Sequence, residues 1–224
     1  MQDTLVRSID TTQGLLSARF ENALASQPTP DRPRDRYPAT DTFLASTSRH
    51  LAAANATLVP AARRHLADGT ERAHEFSQHS RRLEFAMAQT KAKLYGEAHA
   101  IYRPWSEIWA DLREQLDDWL ALEADLVREL AEHTETAYAT ALAEKLYHAE
   151  LRSPTRPHPY VPHLGVTGKV ARRIARRVDM FWDTTEGRMI PEPVHPHDRK
   201  HDGRIAQYFL ADPHLEKIEE EPED

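Results

Sequence analysis

The sequence predicts an all-α protein: an antiparallel four-helix up-and-down bundle with an N-terminal helix and a C-terminal helical and irregular extension. Glycine, the costliest ordinary helix residue, occurs only 7 times in 224 residues. Apolar residues recur at helical spacing along most of the chain, and no segment shows the alternation of a strand. Amphipathic helices joined by short connections bury their apolar stripes most economically as a bundle.

The first predicted element is an amphipathic helix within residues 4–25, with Leu5, Ile9 and Leu16 on its apolar side. A proline-rich segment, "SQPTPDRPRDRYP", follows and predicts a stiff linker. We therefore divide the chain into an N-terminal helix and linker (1–38), a helical bundle (39–152) and a C-terminal extension (153–224).

Four helices are predicted within the bundle. The first runs from Asp41 to about Asp68, where Gly69 is expected to supply a C-cap. The second begins with Thr70 as its N-cap and is limited by Pro104. The third spans about 106–133 and the fourth about 134–152.

The extension carries a predicted basic helix over residues 166–182. Its positive side chains could attract phosphate groups or anionic lipid, or they could form a solvated face that the acidic tail partly neutralises. The candidate anion-binding residues are Lys169, Arg172, Arg173, Arg176 and Arg177.

Histidines in proline-rich segments around this helix can collect metal ions, although surface loops of this composition are the commoner explanation. They are His158, His163, His195, His197 and His201.

Composition excludes several classes of function. The chain has no cysteine, so a disulfide, an iron–sulfur cluster or a thiolate site is impossible, and any metal must be held by His, Asp or Glu. A net charge of −7 argues against wholesale polyanion binding, so no sequence-specific nucleic-acid binding is expected, and a protein is a candidate partner. No run of about 18 apolar residues predicts a transmembrane segment, and no secretory signal is apparent, so a cytoplasmic protein is expected.

Glu123 gives the strongest local signal of a site. It lies on one helical seam whose other positions are leucine or tryptophan: Leu112, Leu116, Trp119, Leu126 and Leu130. A carboxylate placed there points inward and needs a cation, a hydrogen-bonding partner or a metal. The simpler alternative is a buried Arg or His as its partner, or a position at the wet edge of the stripe.

His50 lies at the border of the seam formed by Leu44, Leu51 and Leu58. An imidazole from one helix and a carboxylate from a facing helix are how iron or manganese sites form in bundles, although an isolated histidine there is more often a core residue with hydrogen-bonding partners. The candidate metal ligands are His50, His79, Glu84, Glu97, His99 and Glu123.

Four segments carry a resemblance to a known family. They are "TDTFLASTSRHLAAANATLVPAARRHL", "KAKLYGEAHAIYRPW", "LALEADLVREL" and "FWDTTEGRMIPEPVHPHDRKHDGRIAQYFLADPH". The chain resembles the hemerythrin, or HHE cation-binding, superfamily, in particular an actinobacterial-type branch. The resemblance implies an antiparallel four-helix bundle over about 39–152 and a non-haem di-iron centre used for oxygen binding or sensing.

Both ligand motifs of that family are broken in this chain. The His-x-x-x-Glu pattern keeps His50 but has Ala54 in place of the carboxylate. On the third helix it keeps Glu123 but has Trp119 in place of the imidazole. Neither alanine nor indole can ligate a metal, so a complete di-iron site is not expected, and a mononuclear or vestigial site or a hydrogen-bonded core remains.

Two functions follow from these patterns. The first is a hemerythrin-like protein that binds or senses a metal or small ligand with an incomplete ligand set. The second is a metal-free interaction module whose C-terminal extension contacts a protein or an anionic partner. An enzyme is least supported, because no phosphate-binding glycine loop and no nucleophile elbow are present.

Overall fold

The computed structural model describes residues 4–26, 36–96, 102–153, 155 and 191–196, and these contain five α-helices. The helices are α1 (Thr4–Ala25), α2 (Arg36–His65), α3 (Gly69–Leu94), α4 (Trp105–His133) and α5 (Thr136–Glu150). None of the described residues is in a strand. The predicted all-α class is therefore confirmed.

Helix α2 is the central element of the described structure. It contacts each of the other four helices, and every residue from Phe43 to Asn55 is buried. Burial on all sides requires small side chains, and this stretch is rich in alanine, serine and threonine. The sequence predicted a single apolar stripe here, whereas the helix is enclosed all round.

The start of α2 lies earlier than predicted. The helix begins at Arg36, so Arg36, Tyr37 and Pro38 of the predicted linker belong to its first turn. Proline is tolerated there because the first N–H groups of a helix have no intrahelical acceptor. Residues 27–35 of the linker lie outside the described residues.

The corner between α2 and α3 does not have the predicted caps. Gly69 is the first residue of α3, and among the described glycines only Gly96 has a positive φ. A Cβ on Gly69 would lie 2.0 Å from the carbonyl oxygen of Ala62, so glycine is required for close approach and not for a left-handed cap. Asp68 takes the N-cap position, and Thr70 lies inside the helix.

Helix α1 shares the hydrophobic core with α2, α4 and α5. Leu5, Ile9 and Leu16 are buried in the same cluster as the apolar residues of the other helices. The ring of Phe20 meets Phe43 of α2 edge to face, with centroids 5.3 Å apart. The N-terminal helix and the helices after residue 38 therefore stabilise one another.

Helix α4 buries the predicted seam completely. Leu112, Leu116, Trp119, Leu126 and Leu130 are all buried, and so is Glu123 between them. No helix of the described ranges combines the length and the apolar character needed to cross a bilayer.

Candidate functional site

His50 lies in the centre of the core, between two carboxylates from different helices. Its Nε2 atom is 3.0 Å from Oε1 and 3.2 Å from Oε2 of Glu123 on α4. Its Nδ1 atom forms a short hydrogen bond with Oε1 of Glu150 at the end of α5. We call these three residues the charged cluster; His50 is 1 % exposed and Glu123 is fully buried.

The arrangement favours the charged form of His50. A neutral imidazole has one N–H, whereas here both ring nitrogens face a carboxylate, so the doubly protonated ring can donate to both. Burial alone would lower the pKa of His50, but the charges and hydrogen bonds of Glu123 and Glu150 outweigh it and raise the pKa to about 10. The ring is therefore an imidazolium at neutral pH.

Further contacts hold Glu123 and His50 in place. Gln13 of α1 donates from Nε2 to Oε2 of Glu123 over 3.0 Å and to the Leu120 carbonyl over 2.9 Å. The ring of Trp119 meets the His50 ring edge to face, with centroids 5.7 Å apart. Side chains from α1, α2, α4 and α5 thus enclose the charged cluster.

A second buried polar group lies farther along α2. Ser80 of α3 accepts hydrogen bonds from Asn55 Nδ2 over 2.7 Å and from Trp119 Nε1 over 3.0 Å. Its own hydroxyl donates to the carbonyl of Phe76 over 2.8 Å. We call Asn55, Ser80 and Trp119 the neutral cluster. Trp119, at the position where the family resemblance implies an imidazole, joins the two clusters.

Two arginines extend the charged cluster toward the surface. The pKa of Arg19 on α1 is lowered to about 10 by burial and by the charge of Arg49, which Glu150 partly offsets. Burial also lowers the pKa of Arg49 on α2, while Glu150 and Glu192 oppose this effect. Arg49 Nη2 donates to the Pro191 carbonyl over 2.6 Å.

Residues 191–196, here called the strap, lie against α2 and α5. At one end Pro191 accepts the bond from Arg49. At the other end the ring of His195 meets Tyr147 edge to face, with centroids 4.7 Å apart, and its Nε2 lies 3.9 Å from Oε2 of Glu144. Pro196 is buried. This part of the predicted extension packs on the helices.

The structure brings together two of the predicted metal ligands, His50 and Glu123. Glu84 is buried on α3, and the buried Nδ1 of His79 has no hydrogen-bond partner among the described residues. The other candidates lie outside the described residues. They are Glu97, His99, Lys169, Arg172, Arg173, Arg176 and Arg177.

The donor set does not fit the iron centre that the resemblance implies. Both nitrogens of His50 face carboxylates on opposite sides of the ring, so Glu123 and Glu150 cannot join the imidazole around one ion. In the described part of the chain, no three His, Asp or Glu side chains are arranged to hold a metal. In this cluster the imidazolium itself supplies the positive charge that the two carboxylates require.

The sequence analysis missed Glu150, Gln13, Arg19 and Arg49. Glu150 could have been found, because it continues the spacing of Leu142 and Leu146 by one more helical turn. The others gave no comparable signal, since arginine and glutamine are common on exposed helix faces.

Searches against models of known protein families, curated proteins and solved structures find no match to this chain.

Proposed function

We propose that this chain is a metal-free interaction module. In this proposal α2–α5 form an antiparallel four-helix up-and-down bundle that serves as a scaffold, and the C-terminal extension contacts a protein or anionic partner in the cytoplasm. The observation that carries the proposal is the pairing of both His50 nitrogens with carboxylates of other helices.

The pairing opposes metal binding on energetic grounds. A metal ligand must be a neutral imidazole, so binding would release a proton from a group whose pKa is raised to about 10. It would also separate Glu123 from its buried partner and leave polar atoms without compensation.

A second candidate is a hemerythrin-like protein that binds or senses a metal or small ligand. The observation in its favour is that His50 and Glu123 come from two different helices and lie within 3.0 Å of each other. In this alternative Glu150 would hold the ring by accepting from Nδ1 while Nε2 and Glu123 bind the ion, a common arrangement around metal-bound histidine.

Metal analysis and the protonation state of His50 separate the two candidates. We would purify the untagged protein, measure its transition metals and visible spectrum, and repeat both after anaerobic incubation with Fe²⁺ and exposure to air. Nitrogen-15 NMR of the imidazole, identified by its loss in His50→Gln, reports the protons on Nδ1 and Nε2.

The proposal expects no stoichiometric metal and two protonated ring nitrogens at pH 8. Iron bound at the stoichiometry of a di-iron centre, with a neutral His50 ring, would instead establish the second candidate. A single tightly bound ion that disappears in Glu123→Gln would also overturn the proposal.

A further inference from the structure

The strap points to a peptide-binding face on the helices. We propose that the face formed by Arg19 of α1, Arg49 of α2 and Tyr147 of α5 binds extended, proline-rich peptides that carry a glutamate, and that the strap occupies this face as an intramolecular ligand. This inference rests on the proposed function as an interaction module and names the partner chemistry of its contact surface.

Charge balance is the first argument. Arg19, Arg49 and His50 are three cationic groups near the carboxylate of Glu150. Glu150 and Glu123 both bind His50. Arg19 is half-buried and Arg49 is buried, so a further anion beside these guanidinium groups is favourable.

Glu192 supplies that anion from the strap. Its carboxylate stabilises the charge of Arg49, while the neighbouring Pro191 carbonyl accepts a hydrogen bond from the same guanidinium. Arg49 therefore interacts with the strap through a backbone carbonyl and a neighbouring carboxylate.

The backbone chemistry of the strap is the second argument. Its sequence is "PEPVHP", and the described segment adopts neither helix nor strand. Proline restricts the backbone and has no N–H, so an extended segment of this kind offers carbonyl oxygens at little entropic cost. Arg49 binds one such carbonyl, and Tyr147 packs on His195 four residues later, which resembles the way aromatic grooves bind proline-rich segments.

The strap is held in a way that permits exchange with a partner. Glu192 is exposed, so a different side chain at this position causes no steric clash in the core. A tethered segment competes at an effective concentration of about millimolar, so a peptide in trans should bind weakly until the strap is released.

The test uses the full chain and a fluorescein-labelled peptide with the sequence PEPVHP. Glu192→Lys should release the strap by placing a positive charge beside Arg49. Fluorescence anisotropy should then show at least about tenfold tighter peptide binding to Glu192→Lys than to the unmodified protein. Glu132→Lys, the same charge change at an exposed position of α4, is the matched control and should bind like the unmodified protein.

Two further variants test the chemistry. The peptide PQPVHP, which lacks the carboxylate, should bind Glu192→Lys much more weakly than PEPVHP. Arg49→Gln in the Glu192→Lys background should abolish binding, with Arg19→Gln as a substitute if circular dichroism shows that Arg49→Gln does not fold.

Absence of binding to Glu192→Lys, equal binding to all protein variants, or equal binding of the two peptides would each overturn the inference. A metal-free protein that fails these tests contradicts only the peptide site, whereas an iron-loaded protein contradicts the proposed function.

Discussion

The charged cluster and the neutral cluster occupy the same core but depend on their partners differently. His50 and Asn55 are five residues apart on α2, and both are buried. In the neutral cluster Ser80 accepts from two donors, and the loss of one contact leaves a dipole without a partner. In the charged cluster the loss of one residue leaves an ion without its counter-ion, which costs about twice as much.

The two clusters differ in what is lost when a single member is removed. Replacing a complete buried ionic cluster by apolar side chains is often neutral or stabilising, whereas removing one member is destabilising. Single substitutions in the charged cluster, in the neutral cluster and in the surface ion pair of Arg113 and Glu21 should therefore lower the free energy of unfolding by different amounts.

The largest effect is expected for His50→Leu. This substitution leaves Glu123 and Glu150 buried together without their shared cation. We expect the free energy of unfolding to fall by about 3–5 kcal/mol in urea denaturation. The double variant His50→Leu with Glu123→Leu should recover most of the loss, because Glu150 stays beside Arg19 and Arg49. Equal stability of the single variant and the unmodified protein would refute the ionic assignment.

The charged cluster should make the free energy of unfolding fall as the pH rises. The pKa of His50 is about 10 in the folded protein against an ordinary value of 6.5, so the folded state holds more protons between these values. The stabilisation is complete below pH 6.5 and is lost as the pH rises through about 10. The slope should approach about 1.4 kcal/mol per pH unit.

His50→Gln should remove this slope, while His133→Gln, at an exposed position, should keep it. The comparison is made by urea denaturation at intervals from pH 6 to pH 10. A slope that survives in His50→Gln would assign the alkaline transition to another group.

Ser80→Ala should have an intermediate effect on the neutral cluster. It removes the acceptor of Trp119 Nε1 and one of the two acceptors of Asn55 Nδ2, which keeps the Leu51 carbonyl, and both donors stay buried. We expect a loss of about 1–3 kcal/mol, without the alkaline slope changing. Ser77→Ala is the matched control on the same helix, because its hydroxyl donates to the Ala73 carbonyl one turn earlier.

The smallest effect is expected at the surface. Arg113 forms two hydrogen bonds of 2.7 and 3.1 Å with Glu21, and both residues are solvent-exposed. Glu21→Gln should change the free energy of unfolding by less than about 1 kcal/mol, and this difference should shrink in salt. If Glu21→Gln lowered the free energy of unfolding as much as Ser80→Ala does, burial would not explain the different sizes of these effects.

Periodicity predicted much of the fold. The seam of α4 and the inward position of Glu123 were predicted correctly because leucine and tryptophan surround that residue at helical spacing. The enclosure of α2 was not predicted, because alanine, serine and threonine carry little hydrophobic signal even where they are fully buried.

The candidate site was predicted in part. His50 and Glu123 were identified, but their partners Gln13 and Glu150 lie far away in sequence and follow from the packing of α1 and α5 on α2. The caps at the corner between α2 and α3 were predicted wrongly. Glycine is required at position 69 because the backbone of Ala62 lies so close, and only the tertiary structure shows this contact.

Gly69 also sets the alignment of α2 with α3. Asn55 lies about 15 Å along α2 from its last residue, and Ser80 lies about 16 Å along α3 from its first. A bulkier residue than glycine would force the two helix ends apart and shift one helix axially against the other. The hydrogen bond from Asn55 to Ser80 therefore depends on how closely the ends of α2 and α3 approach each other at Gly69.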